Sequence, residues 1–274
     1  MAKGLSLHVG VNTVNPAHYT NNMPSLTGCE NDAESMRLIA KSRNFTNMKL
    51  VGTQATRNAV IMVINRASEV LENGDTFFLT FSGHGGWIRD FNSDEEDSRD
   101  ETWCLYDGQL IDDELEQMWL KFKSGVRILV VSDSCNSGTV AKFMATAVSP
   151  KVGKAGGVKR MPPNLGDVVY EKNKEFYREI VFKLNTTMMA NSSTPTQYSG
   201  LLLSAAQDNQ DALDGYPNSA FTTQLLKVWN NGSFNGNYIN FYTQIRSGVT
   251  VHTPNYYRFG RNDPQFEALS PFTF

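Results

Sequence analysis

Cysteine is scarce in this chain of 274 residues: only Cys29, Cys104 and Cys135, widely scattered and with no CxxC pair. That excludes a disulfide framework and a thiolate zinc site, and it leaves at least one free thiol for chemistry. An excess of charge of one sign is missing too, since 25 Lys and Arg stand against 28 Asp and Glu. No general basic field exists to hold nucleic acid or an anionic membrane surface, so neither is expected as a partner. No stretch reaches the roughly 18 uncharged apolar residues that span a bilayer, and the opening MAKGLSLHVG carries no apolar run with a cleavage site. A cytoplasmic location is the expectation. Histidine is limited to His8, His18, His84 and His252, so each candidate base can be weighed.

What is present suits a folded core. Leu5 to Val11, Thr76 to Phe81, Val126 to Val131 and Leu201 to Ala206 are short apolar runs that read as buried strands. Between them, Asn31 or Asp32 can cap a helix through Met36, Ile39 and Ala40. Thr56 can cap another, in which Val60, Val63, Ile64, Ala67, Val70 and Leu71 recur at helical spacing until Asn73-Gly74 stops it. Further helices are expected over Asp112 to Phe122, Ala220 to Trp229 and Tyr238 to Arg246, with a last strand at Phe266 to Leu269. The stretch from Ala141 to about Gln197 is weakly patterned and reads in part as loop. Strands alternating with helices predict an α/β fold, a mainly parallel sheet covered by helices on both faces, with sites beyond the carboxyl ends of the strands.

Ser82-Gly83-His84-Gly85 and Asp133-Ser134-Cys135 fall at two such ends. Glycines around His84 let the backbone turn tightly, whereas His8 lies inside a strand and reads as structural. Small polar residues, Asn136-Ser137-Gly138, follow Cys135. An imidazole beside a thiol can draw off its proton, and the thiolate can attack a peptide carbonyl to give an acyl-enzyme. Histidine about 50 positions upstream of cysteine is the arrangement in caspases, although Asp133-Ser134 stands where caspases carry Gln-Ala.

The two motifs resemble those of metacaspases, whose second motif is usually Asp-Ser-Cys-His-Ser-Gly; Asn136 departs from it. Leu26-Thr27-Gly28-Cys29-Glu30-Asn31-Asp32-Ala33, Ile111-Asp112-Asp113-Glu114-Leu115 and Leu203-Ser204-Ala205-Ala206-Gln207-Asp208-Asn209-Gln210 resemble three further stretches of that family, in the same order. The resemblance implies a single caspase-like domain over 1–274, a three-layer sandwich with a large segment 1–150, a linker or loop 151–197 and a small segment 198–274, expected as a monomer. It implies a cysteine endopeptidase acting through His84 and Cys135 on proteins or peptides with Arg or Lys before the cut bond. Asp32 and Asp133, with Cys29 and Ser82 nearby, would form the basic-residue pocket, and the backbone N–H groups of Gly85 and Cys135 the oxyanion hole.

Many relatives need calcium as an activator, though not for the chemistry itself. The acidic run containing Asp97 and Asp100, and the pair Asp112 and Asp113, would supply hard oxygen ligands. Lys151, Lys154, Lys159 and Arg160 lie where relatives cut themselves, and a basic-specific enzyme could do so here. The rival reading is a catalytically silent scaffold of the same fold that binds a regulatory partner protein; retention of His84 and Cys135 argues against it. Acidic specificity would need a basic pocket that the sequence lacks. Gly83-His84-Gly85-Gly86 is not a dinucleotide-binding glycine pattern and no Walker lysine follows.

Overall fold

Four runs of apolar residues form the middle of the sheet in the computed structural model, which describes residues 2–89, 99–135, 157–207 and 210–274. They are β1 (Gly4–Gly10), β3 (Thr76–Ser82), β7 (Arg127–Asp133) and β8 (Ser199–Ser204). All pair in parallel, because each is buried on both faces and joined to the next through a crossover. At one edge β2 (Thr46–Val51) adds in parallel to β1, and at the other β9 (Asn255–Gly260) runs antiparallel to β8. The strand order is therefore β2-β1-β3-β7-β8-β9.

Alternation along these strands feeds two cores. Phe77, Leu79, Ile128, Val130 and Leu202 pack on the face covered by α2 (Arg57–Val70) and α3 (Asp112–Trp119). Phe78, Leu129, Val131, Leu201 and Leu203 pack on the other, against α1 (Cys29–Ser42), α6 (Ala220–Trp229) and α7 (Tyr238–Gly248). The mainly parallel sheet with helices on both faces is the arrangement expected from the sequence. A small antiparallel sheet of β4 (Gly85–Arg89), β5 (Arg99–Leu105) and β6 (Gly108–Ile111) follows β3 immediately and roofs the site.

Three expectations need correction. Helix α1 begins at Cys29, where Asn12 Oδ1 accepts the Cys29 N–H at 2.9 Å; Asp32 is not its cap but lies in its first turn. Part of the expected linker is helical, as α4 (Pro163–Lys172) and α5 (Lys174–Asn191). Leu165, Val169 and Tyr170, then Tyr177, Val181 and Leu184, recur every three or four residues and are buried, a stripe diluted by the long charged side chains between them. The final strand is β9, and Phe266 belongs instead to a short helix, α8 (Pro264–Ala268). Asp263 caps that helix by accepting the Phe266 N–H at 2.9 Å, and Pro264 presets its first turn.

Leu129 is fully buried at the centre of β7, whereas Leu38 on α1 is half exposed. Leu129→Ala should cost about 2–5 kcal/mol in urea unfolding, and Leu38→Ala within about 0.5 kcal/mol of zero. Equal effects would contradict the placement of the core.

Candidate active site

The register of β3 on β7 sets the site. Ser82 pairs with Asp133 at the last rung, so His84 and Cys135 each lie two residues beyond that pair, at the carboxyl ends of neighbouring parallel strands. Close approach is enforced by Gly85, where a Cβ would fall 1.8 Å from the Cys135 carbonyl oxygen. Only glycine fits there.

His84 is buried, and its Nε2 lies 2.8 Å from the Pro24 carbonyl oxygen. A carbonyl can only accept, so Nε2 carries the proton and Nδ1 keeps its lone pair. No side chain bonds Nδ1, although the Arg160 backbone also acts on the ring and raises its pKa; an imidazole nitrogen unbound by side chains suits a base that takes a proton from outside the ring. Burial holds the ring below its ordinary pKa; the Pro24 carbonyl opposes this and the charge of Lys159 reinforces it. The other histidines are tied down: His8 between Thr80 and Ser6, His18 against Tyr177, and His252 against the Ala205 carbonyl.

Cys135 is also buried, and its Sγ accepts the Ala212 N–H at 3.1 Å. Burial pushes the thiol up to about 12, with the Arg160 guanidinium partly offsetting it. Cys135 is thus held as a neutral thiol.

The cover over it is the chain's own segment 157–161. Residues 157–159 lie as a short antiparallel strand on 212–214: the Lys159 N–H donates to the Ala212 carbonyl at 3.0 Å, the Asp214 N–H donates to the Gly157 carbonyl at 2.8 Å, and Val158 bridges Leu213. The Lys159 carbonyl oxygen then accepts from two N–H groups, Gly85 at 2.9 Å and Cys135 at 3.1 Å. These are the two donors that the sequence singled out for an oxyanion hole, and they meet on one oxygen. Beyond it, the Met161 N–H donates to the Gly85 carbonyl at 2.8 Å and its side chain is buried among Tyr19, Cys104, Leu165 and Val169.

The Lys159 side chain runs inward and is fully buried. Its Nζ lies 3.1 Å from Asp32 Oδ2, 3.0 Å from Asp133 Oδ1 and 2.8 Å from Ser82 Oγ. Ser82 passes a hydrogen bond on to Asp32 at 2.7 Å, and the Asn218 amide and Ser219 N–H complete the Asp32 shell at 2.9 and 3.1 Å. Asp133 accepts from Ser219 Oγ and from Thr222 Oγ1, the latter at 2.8 Å.

Two carboxylates sharing one ammonium leave one negative charge over. Burial and the neighbouring Asp133 push Asp32 up, whereas Lys159, Ser219 and Thr222 hold Asp133 below its ordinary value against burial. Lys159 is raised, its carboxylate partners outweighing burial. Cys29 stands beside this group with its thiol pushed up to about 12, mainly by burial, and lines the pocket as a neutral wall.

The structure therefore gathers His84, Cys135, Gly85, Asp32, Asp133, Ser82, Cys29, Lys159 and Arg160. Asp97, Lys151 and Lys154 lie outside the described residues. Asp100, Asp112 and Asp113 are buried, Asp100 on β5 and the other two in the first turn of α3. Among the described residues no group of three His, Cys, Asp or Glu side chains is arranged to hold a metal ion, so the described carboxylates alone do not make a calcium site. Sequence reasoning missed Pro24, Asn218, Ser219, Thr222 and Asp214; the last accepts the Thr27 and Gly28 N–H groups and secures the loop before α1.

Known proteins share this family and fold. The profile of the caspase domain matches residues 12–271, and the chain belongs to that family. Metacaspase-1 of Saccharomyces cerevisiae is 31% identical over 150 residues, which cover 49% of this chain and 33% of that protein. Metacaspase-3 of Arabidopsis thaliana is 34% identical over 138 residues, 45% of this chain and 38% of that protein. The matches thus span only about a third of these relatives. A crystal structure of protein GSU0716 from Geobacter sulfurreducens is 40% identical, with a TM-score of 0.83 over 99% of this chain and 98% of that one. Caspase-1 from Spodoptera frugiperda shares the fold, at 10% identity and a TM-score of 0.56 over 93% and 86% of the two chains. No helix among the described residues is long and apolar enough to cross a membrane.

Because the thiol is buried under segment 157–161, alkylation of Cys135 by iodoacetamide in the intact Cys135/His84 chain should stay slow near neutral pH and climb only as pH rises far past the ordinary thiol range. Lys159→Glu puts a third acidic group between Asp32 and Asp133, expels the segment and should speed alkylation at pH 7.5 by at least about tenfold, read by mass of the Cys135 peptide. An unchanged rate would mean that the segment does not cover the thiol.

Proposed function

We propose that this chain is a cysteine endopeptidase that cuts proteins after lysine or arginine, with Cys135 as nucleophile and His84 as base, and that it cuts its own Lys159–Arg160 bond. One observation carries the reading: Lys159 lies as a substrate would, with its ammonium between Asp32 and Asp133 and its carbonyl oxygen on the N–H groups of Gly85 and Cys135. A pocket holding two carboxylates selects a cation, since an unpaired buried acidic pair is strongly disfavoured.

The steps follow from these positions. His84 Nδ1 takes the Cys135 proton, and Sγ attacks the carbonyl carbon of the residue in the pocket. The Gly85 and Cys135 N–H groups hold the oxyanion, pre-aimed and shielded from water. The C–N bond breaks as His84 returns the proton to the leaving amine, giving a thioester on Cys135. Water, deprotonated by His84, then hydrolyses the thioester to a carboxylate and the free thiol. With Lys159 docked, other substrates are excluded, so the intact chain is latent; cutting or displacing the segment frees the pocket. Calcium would enter only as an activator outside these steps; because Asp100, Asp112 and Asp113 do not by themselves gather into a metal site, its role is tested by a calcium and a chelator arm in every assay.

Intact mass spectrometry tests the self-cut. Wild type should split between Lys159 and Arg160, Lys159→Arg should still split, and Lys159→Gln and Cys135→Ala should stay whole. Clipping of Cys135→Ala at the same bond, or of Lys159→Gln at the wild-type rate, would contradict the proposal.

A further inference from the structure

The residue on the leaving side of the Lys159 carbonyl is held as specifically as Lys159 itself. Arg160 Nε lies 2.9 Å from Asp211 Oδ1, and its Nη2 donates to the Gln210 carbonyl oxygen at 3.1 Å. The acceptors are built into the scaffold. Gln210 is nearly buried; its N–H donates to the Gln207 carbonyl at 2.9 Å and its side-chain oxygen accepts the Thr253 N–H at 2.6 Å. Asp211 directly precedes Ala212, whose carbonyl takes the Lys159 N–H and whose N–H goes to Cys135 Sγ. Residues 210–214 therefore form one ribbon that engages the segment in register: Asp214 at Gly157, Ala212 at Lys159, and Asp211 with Gln210 at Arg160. On the far side the Met161 N–H on the Gly85 carbonyl fixes the direction in which the leaving chain departs.

We infer that the site recognises a pair of basic residues, one on each side of the cut bond, with Asp211 and the Gln210 carbonyl as the subsite for the cation on the leaving side. This rests on the reading of Lys159–Arg160 as the scissile bond. A half-exposed ion pair alone contributes little, but a guanidinium that also bonds a fixed carbonyl makes a charge-assisted contact of greater worth. The same cation stands beside the nucleophile, where it opposes the effect of burial on the thiol, so it acts on the reacting sulfur as well as on binding. Uncharged or acidic leaving-side residues forfeit both effects.

Internally quenched peptides that span the bond and differ only after it (Lys-Arg, Lys-Lys, Lys-Ala, Lys-Glu) test this with the full chain, beside aminocoumarin amides of Lys and Arg that have no leaving-side residue. Lys-Arg should exceed Lys-Ala by about tenfold in kcat/KM, with Lys-Glu slowest. Asp211→Asn should bring Lys-Arg down to the Lys-Ala rate, and Asp211→Glu should restore the difference. Equal rates for Lys-Arg and Lys-Ala in wild type, with the aminocoumarins hydrolysed, would overturn the leaving-side subsite while sparing the basic pocket; this arm needs no variant to fold. Hydrolysis of neither aminocoumarin nor peptide, by chain that intact mass shows to be cut between Lys159 and Arg160, would overturn the pocket reading and the subsite with it.

Discussion

A single ammonium group, that of Lys159, is what the site is organised around. It is fully buried, and an ion taken out of water costs several kcal/mol unless partners meet it closely. Here Asp32, Asp133 and Ser82 meet it within 3.1 Å, and Asn218, Ser219 and Thr222 occupy the outer lone pairs of the carboxylates. Those side chains come from α1, the ends of β3 and β7, and the start of α6. A cation in the pocket is thus the common partner of elements that are distant in sequence, and without one two buried carboxylates face each other. The requirement that makes the segment dock is the one from which selectivity for a basic residue is proposed.

Everything else that the chemistry needs follows from strand register. Parallel pairing of β3 with β7 puts His84 and Cys135 side by side, and Gly85 lets the two loops touch. The 212–214 ribbon aligns residues 157–159 so that the Lys159 carbonyl oxygen reaches the two N–H donors as its side chain enters the pocket. Alignment of this kind removes most of the freedom that a bimolecular attack must otherwise lose. Burial favours the neutral forms of both His84 and Cys135 while the segment is in place, so any attack on the docked carbonyl has to begin with proton transfer between two neutral groups.

Much of this was legible in the sequence because it is local. The apolar runs of β1, β3, β7 and β8 and the stripe of α2 announce themselves within a few residues, and glycines and small residues around His84 and Cys135 mark strand ends open to a ligand. That Asp32 and Asp133 come together was to be expected only through family resemblance, since one looks like a helix cap and the other like a turn residue. Asn218 and Ser219 reach Asp32 from 186 and 187 positions away, a relation that no local pattern carries. Helices α4 and α5 were obscured because their buried stripes are thin among charged residues. No local feature of the sequence sets Lys159 apart from its basic neighbours, and its reach to the two carboxylates is visible only in the fold.

Hydrolysis of matched aminocoumarin peptides ending in Arg, Lys or Asp, with wild type and Cys135→Ala, tests the central claim most directly. The account predicts release after Arg and Lys, none after Asp, and none from Cys135→Ala. Release after Asp by the wild-type chain would contradict it, because a pocket walled by Asp32 and Asp133 cannot hold a carboxylate.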